Sequence, residues 1–245
     1  MSRQADRRSG GRAVGWAGAV LGAMALLTAG PPVRLSAQVG FPPDHSPYRD
    51  FKRGGTFIFG GSYLTGSRGV VGVGPSNARM GGLRYEVPFA SVLGFSLGAA
   101  VGEASRYAVD PTKNQGFRTS GPYNTTIAIF DATARVMLTG SKGWHGFAPF
   151  FGAFGGFVTQ SGVASDASGY RFATKGTFGP DIGLRWFPTR AVALRADARL
   201  AFWKLAYPLT YKVPSPDGTR VLDIAAEDHE WTRHPWISVG LGWTF

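Results

Sequence analysis

Apolar and polar residues alternate with a period of two along most of the chain, in segments bounded by turn residues. This period is typical of β-strands that have one apolar face. Each segment reaches the length of about 9 to 11 residues with which a tilted strand crosses a bilayer. The pattern therefore predicts eight strands, at approximately 55–64, 78–88, 91–103, 123–138, 144–159, 176–187, 191–205 and 235–245.

The alternation is clear in segment 191–205, where every even-numbered residue from 192 to 202 is apolar. The odd positions include Arg195, Asp197 and Arg199. A water-soluble barrel turns the apolar face inward, whereas a membrane barrel turns it outward. Alternation by itself leaves both arrangements open.

The links between the segments alternate in length. Short links are centred on 88–90, 139–143 and 188–190, and long links run through 65–77, 104–122, 160–175 and 206–234. An up-and-down barrel with these links has all its short turns at one end and its long loops at the other, as membrane barrels do. The link lengths therefore favour the arrangement with the apolar face outward.

Aromatic residues cluster at the ends of the predicted strands, which suggests two rings at the levels of the lipid headgroups. One set lies beside the short turns and the chain end: Tyr85, Phe89, Trp144, Phe147, Trp186, Phe187, Trp243 and Phe245. The other set lies beside the long links: Tyr63, Tyr107, Tyr123, Tyr170, Tyr207, Trp231 and Trp236.

The last predicted strand ends the chain on a phenylalanine. Its apolar residues occupy alternate positions and share one face: Ile237, Val239, Leu241, Trp243 and Phe245. With this ending, the chain resembles the small bacterial outer-membrane barrels of the OmpA, OmpX and OmpW type. The resemblance implies an eight-stranded antiparallel up-and-down transmembrane β-barrel in the bacterial outer membrane. It also implies that the barrel-assembly machinery reads these five residues as a signal.

With the apolar face towards lipid, the inward positions carry five basic and four acidic side chains. They are Arg84, Glu86, Asp131, Arg135, Asp181, Arg185, Arg195, Asp197 and Arg199. Isolated ions in a narrow barrel interior carry a large desolvation penalty, so we expect ion pairs. The lumen is then either plugged by these pairs or a narrow polar path, and Gly94, Gly98 and Gly102 would leave some room.

The pattern of the amino-terminal region predicts an export signal. Arg3, Arg7, Arg8 and Arg12 precede an uncharged run at 13–30, and small residues follow at Ser36 and Ala37. This order is typical of a cleaved secretory signal peptide, here 1–37, although an uncleaved anchor is the alternative. Residues 38–54 would form a flexible periplasmic lead, and 55–245 the barrel.

Composition and charge narrow the function classes. The chain of 245 residues has no cysteine, which excludes disulfides and thiolate zinc sites. The formal charge of +11 falls to +7 without residues 1–37, since five of 26 basic and one of 15 acidic residues lie there. The remaining basic residues are scattered singly, so we expect no nucleic-acid partner.

Some residues near the last long link could carry chemistry. His229 and His234 lie with Asp228, Glu230 and Ser215 in a region where outer-membrane lipid A-modifying enzymes place a histidine, a serine and a carboxylate. No motif of those enzymes is present, and we interpret the histidines as loop residues. The acidic run 223–230 could bind calcium through its oxygens, but it lacks the EF-hand spacing. We expect no cofactor and no metal.

The sequence therefore suggests a structural or interaction barrel that presents outer loops for adhesion or envelope integrity. A narrow channel for small or hydrophobic solutes is the main alternative, and a lipid-modifying enzyme is a third. Outer-membrane lipid and the assembly machinery are the expected partners.

Overall fold

The computed structural model of the chain describes residues 46–51, 54–162 and 168–245. The predicted leader 1–37 lies outside these residues, as do positions 38–45, 52 and 53 of the predicted lead. The barrel belongs to the compact unit Pro47–Phe245.

Ten strands and two short 3-10 helices form within the described residues. The helices, Gln115–Phe117 and Leu209–Lys212, lie in two of the long links. No helix in the described part of the chain is long and apolar enough to cross a membrane. The strands are β1 (Tyr48–Asp50), β2 (Thr56–Leu64), β3 (Ser76–Pro88), β4 (Leu93–Val109), β5 (Thr119–Met137), β6 (Lys142–Trp144), β7 (Phe147–Gln160), β8 (Lys175–Trp186), β9 (Val192–Ala206) and β10 (His229–Thr244).

The eight long strands form a closed antiparallel ring in which each strand pairs with its neighbours in the chain. The ring closes where β10 pairs with β2, with Val239 opposite Gly61 and Trp243 opposite Phe57. Closure leaves no free edge in the ring of eight long strands. The predicted eight-stranded up-and-down barrel is therefore confirmed, and all eight predicted segments are strands.

The two short strands lie at the end of the barrel where the short turns are. β1 pairs with β6, and Tyr48 lies opposite Trp144. β1 belongs to the predicted lead 38–54, so three residues of that lead form regular structure.

The strands extend further than predicted at the end with the long links. β4 continues to Val109, β5 begins at Thr119 and β10 begins at His229, several residues beyond the predicted limits. Their outward faces become polar there, so the apolar alternation that set the predicted limits stops before the pairing does. Inward residues such as Ala104 and Val109 are still buried, and β4 and β5 remain paired.

The outer face of the barrel wall is apolar and the inner face is charged, which is the reverse of the arrangement in a water-soluble protein. Large apolar side chains are exposed outward, among them Leu97, Ile182 and Val239, each more than 60% exposed. Charged side chains such as Arg135 and Arg199 are buried inside. An apolar outer wall around a charged interior matches the pattern of membrane barrels.

The interior half next to the long links is an apolar core. Ile127, Ile129 and Trp203 of the strands are fully buried there. Side chains from the links fold over them and close this end of the barrel; we call these link residues the cap, and they are Val73, Tyr170, Phe172, Tyr207, Tyr211 and Leu222.

We expect Tyr211→Ala to loosen the cap, because Tyr211 is fully buried and its hydroxyl donates to Ser168 Oγ at 3.1 Å. Removing a buried aromatic side chain costs about 3–5 kcal/mol. Trypsin should then cleave the link 207–228 faster in the folded protein. The matched control is Leu209→Ala in the same 3-10 helix, where the side chain is 71% exposed. Equal cleavage rates in both variants would show that Tyr211 does not hold the cap.

Candidate functional site

The charged residues predicted for the interior lie on β3, β5, β8 and β9, and Arg106 of β4, which the sequence analysis missed, is also buried, over the ring of Tyr170. On β9 the period of two places Arg195, Asp197 and Arg199 inside. The register sets Asp181 opposite Arg199. The structure brings all nine of the predicted residues together, and we call them the lumen network: Arg84, Glu86, Asp131, Arg135, Asp181, Arg185, Arg195, Asp197 and Arg199.

Glu86 is the only acidic member of the network near the short turns, and it faces three arginines. Arg135 and Arg195 both donate to its Oε1 atom. Arg185 Nη1 lies 3.5 Å from Oε2. Glu86 and Arg135 are both buried, so this carboxylate carries most of the charge compensation at its end of the network.

Arg195 and Arg199 connect Glu86 to the other three carboxylates. Arg195 contacts Asp197 at 2.5 Å and Asp181 at 3.3 Å. Arg199 contacts Asp131 and Asp197, both at 3.2 Å, and Asp181 at 3.5 Å. The pairs form one continuous network, which is the condition under which charges can be buried without a prohibitive desolvation cost.

Aromatic rings cover the flat faces of these arginines. Arg135 and Arg195 lie over Phe150, with distances of 5.2 and 4.6 Å to the ring centre. Arg199 lies 4.7 Å from the ring centre of Trp236. Planar guanidinium groups can stack and donate in their plane at the same time, which lysine cannot do. Sequence reasoning missed these rings, although the parity of β7 places Phe150 inside.

Gly98 makes room for one ion pair. Arg84 donates from two nitrogens to the two oxygens of Asp131, at 2.9 and 3.0 Å. A Cβ atom at Gly98 would lie 2.6 Å from Arg84 Nη2 and 2.8 Å from Asp131 Oδ2. The space that we expected at Gly98 is therefore filled by the Arg84–Asp131 pair. Gly102 faces the backbone of Arg79, and Gly94 borders a cavity.

Two of the empty spaces in the described part of the chain lie beside the network. One, of about 50 Å³, borders Arg84, Asp131 and Asp197 and is large enough for one or two water molecules. The other, of about 520 Å³, lies at the end with the short turns, with Glu86 and Arg185 in its wall. The side chains of the network lie between this larger cavity and the apolar core.

The aromatic residues near the short turns lie mainly on the outer wall. Phe89, Trp144, Trp186 and Trp243 are exposed, and Tyr85 is half-buried with its ring 4.7 Å from that of Phe57. Phe187 does not belong to this ring. It is 8% exposed and stacks on Phe51 at 4.2 Å, because it follows outward-facing Trp186 and so points inward.

The second predicted ring is wrong for three of its residues. Tyr63 and Trp231 are exposed outward, and Tyr107 and Tyr123 are half-buried. The remaining three, Tyr170, Tyr207 and Trp236, are buried. The first two lie in links that fold over the barrel end, and Trp236 precedes outward-facing Ile237 and therefore points inward.

The five apolar residues of the last strand share the outer face of β10. Ile237, Val239, Leu241, Trp243 and Phe245 are between 52% and 61% exposed. They form an uninterrupted apolar row on the barrel wall. Recognition of these five residues by the barrel-assembly machinery stays a prediction.

The histidines of the last link do not form a catalytic group with Ser215. His234 is buried inside, stacked on Trp203 at 3.6 Å, and its Nε2 atom bonds to Thr232 Oγ1 at 2.9 Å. His229 is at the surface, with Nδ1 2.9 Å from Asp228 Oδ1. Ser215 donates to the carbonyl of Thr219 instead.

Glu230 holds the cap. It accepts hydrogen bonds from the Tyr207 hydroxyl and from the backbone amide of Val70 at 2.5 Å. Burial and the bond to Glu230 raise the pKa of Tyr207, so this tyrosine stays a donor. Within the described residues, no group of three or more His, Cys, Asp and Glu side chains could hold a metal ion.

Comparison with known proteins identifies the fold. No family model matches, and no curated protein matches in sequence. Among solved structures, the chain is similar to the outer membrane protein OprG from Pseudomonas aeruginosa, with a TM-score of 0.51, 14% identity, and coverage of 80% of this chain and 98% of that one. It is also similar to Neisserial surface protein A, with a TM-score of 0.50, 13% identity, and coverage of 78% and 97%. The fold is therefore that of small outer-membrane β-barrel proteins.

We expect Gly98→Val to lower the free energy of unfolding by about 1–3 kcal/mol, because the new side chain overpacks the Arg84–Asp131 pair. The matched control is Gly81→Val on the outer wall, where a Cβ atom meets nothing within 4 Å. Valine is favoured in strands, so the control should lose no stability. Urea titration of both variants in the same lipid vesicles measures the difference, and an equal midpoint for the two would contradict the tight packing at Gly98.

Proposed function

We propose that the protein lies in a bacterial outer membrane, with its short turns towards the periplasm and its long links outside. The outer wall supports this placement. On β10 the row from Pro235 to Phe245 carries no charged outward side chain. Its eleven residues cover about 36 Å of strand. At a tilt of roughly 40° this is about 27 Å of membrane thickness, close to the band of outer-membrane barrels.

Charged residues first appear on the outer wall at the end with the long links. Arg79, Glu103, Lys204 and Arg233 are all exposed there, on four different strands. Such a ring fits the boundary between hydrocarbon and headgroups. It supports the orientation in which the long links face outside.

The function that the interior supports best is that of a closed barrel that presents a folded surface, with an adhesive or envelope-stabilising role. The observation that carries this proposal is the lumen network, which fills the barrel at mid-height. Of the nine side chains, the most exposed, Arg84 and Arg185, are 11% and 12% accessible. A filled lumen favours a role at the surface over transport.

Two of the long links, 110–118 and 207–228, are joined by hydrogen bonds, which holds this part of the surface together. Arg118 donates to Ser215 and Thr219, and Asp217 accepts from the backbone amide of Gln115 at 2.8 Å. Hydrogen bonds from Thr219 and Gln115 lower the pKa of Asp217, so the bridge remains at acidic pH.

Apolar side chains are exposed on the links. Val70, Phe117, Leu209 and Ile224 are each more than 60% exposed. Contiguous apolar patches on a surface mark sites that contact other proteins, and we propose that these four residues contribute to such a patch.

We assign no catalytic role to His229 or His234, since one pairs with a carboxylate of its own link and the other is buried against Trp203. We also propose that the five apolar residues of the last strand serve as the assembly signal, because they form one uninterrupted apolar row on the outer wall.

In planar lipid bilayers, we expect the purified and folded protein to show no discrete conductance steps, because the lumen network blocks the pore. Folding is checked beforehand by the difference in electrophoretic mobility between heated and unheated samples, and a porin in the same bilayer serves as the positive control. Stable steps from the folded protein would overturn the closed-barrel proposal in favour of a narrow channel.

A further inference from the structure

The larger cavity lies at the end of the barrel opposite to the cap. Turn residues 88–91 and 140–141 surround it, and its volume is about 520 Å³. Small-molecule sites have volumes of about 300–1,000 Å³ and mostly apolar walls with a few polar groups. The wall here is of that kind, since Phe51, Met137 and Phe187 contribute to it together with a small number of charged side chains.

Of the residues that the structure describes, Glu86, Arg135 and Arg185 are the charged ones in the cavity wall. Among the described residues, Glu86 is the only carboxylate paired with either arginine. Glu86 also pairs with Arg195, so Arg135 and Arg185 share their one carboxylate with a third arginine. Arg185 has the weaker contact of the two, at 3.5 Å.

The rest of the network does not share this excess of positive charge. Arg195 has Asp181 and Asp197 as further partners. Arg199 has three carboxylates within 3.5 Å. With five arginines and four carboxylates in all, the uncompensated charge falls beside the cavity.

Several donors of the two cavity arginines have no partner. In the described part of the chain, the Nε and Nη2 atoms of Arg135 and the Nε atom of Arg185 have no hydrogen-bond partner. These three atoms are enclosed by the protein, so leaving them without an acceptor is costly, and a ligand in the cavity first meets the accessible part of Arg185, whose side chain is 12% exposed. Guanidinium groups bind carboxylates through paired hydrogen bonds.

We propose that this cavity binds a small organic carboxylate with an apolar body. The carboxylate group lies on Arg185, beside the positive charge of Arg135, and the body lies against Phe51, Met137 and Phe187. The ligand enters from the end with the short turns. The apolar wall favours such a molecule over a strongly hydrated ion such as inorganic phosphate. This site is independent of the surface role proposed for the links.

Benzoate is a suitable test ligand because benzamide has nearly the same shape without the charge. Titration calorimetry of the folded full chain in detergent should show benzoate binding at least about tenfold more tightly than benzamide, the size of a hydrogen bond to a charged group. Arg185→Gln should remove that preference, whereas Arg185→Lys, which keeps the charge, should retain part of it. Arg190→Gln changes an exposed arginine on a neighbouring turn and should have no effect.

Three results would overturn the assignment. These are benzamide binding as well as benzoate, unchanged benzoate affinity in Arg185→Gln, and absence of benzoate binding to the wild-type chain. Inorganic phosphate that competes as well as benzoate would overturn the apolar-body part of the proposal. Heat-shifted electrophoretic mobility confirms that each variant is folded, so a loss of binding cannot be ascribed to an unfolded barrel.

Discussion

The buried charges of the lumen network depend on ion pairing, because the closed wall keeps the network out of bulk water and an unpaired buried ion costs several kcal/mol. This requirement explains several local choices. Gly98 leaves space for the Arg84–Asp131 pair, and Phe150 covers two arginines that also donate to Glu86. The same network fills the lumen at mid-height, so the pairing that makes the interior possible also closes it.

The two ends of the barrel differ because the network separates them. At the end with the long links, side chains such as Tyr207 and Tyr211 continue the apolar core beyond the strands. At the other end the short turns are too short to cover the opening, and a cavity remains beside Arg185. The proposed surface role and the proposed carboxylate site therefore use opposite ends and different residues.

The sequence predicted the strands and the members of the network because both depend on a period of two. It did not predict the partners within the network, since the register between strands decides which arginine meets which carboxylate. The sequence analysis assigns Phe187 and Trp236 to the aromatic rings because they lie near strand ends. Each is adjacent to an outward-facing residue, Trp186 or Ile237, and its side chain therefore points inward. The burial of Tyr170 and Tyr207 could not be predicted from the alternation of apolar and polar residues, because links fold through long-range contacts such as that between Tyr207 and Glu230.

The central claim is that the apolar face is outside and the charged face inside. Methyl NMR of the six isoleucines in nanodiscs tests it, with a spin label on the lipid tails. The signals of Ile182 and Ile237, both at least 60% exposed, should broaden, whereas those of Ile58, Ile127 and Ile129, all buried, should remain sharp. Ile224, in a long link, should broaden only with a water-soluble spin label. Broadening of Ile127 and Ile129 by the lipid label, with Ile182 and Ile237 unaffected, would contradict the account.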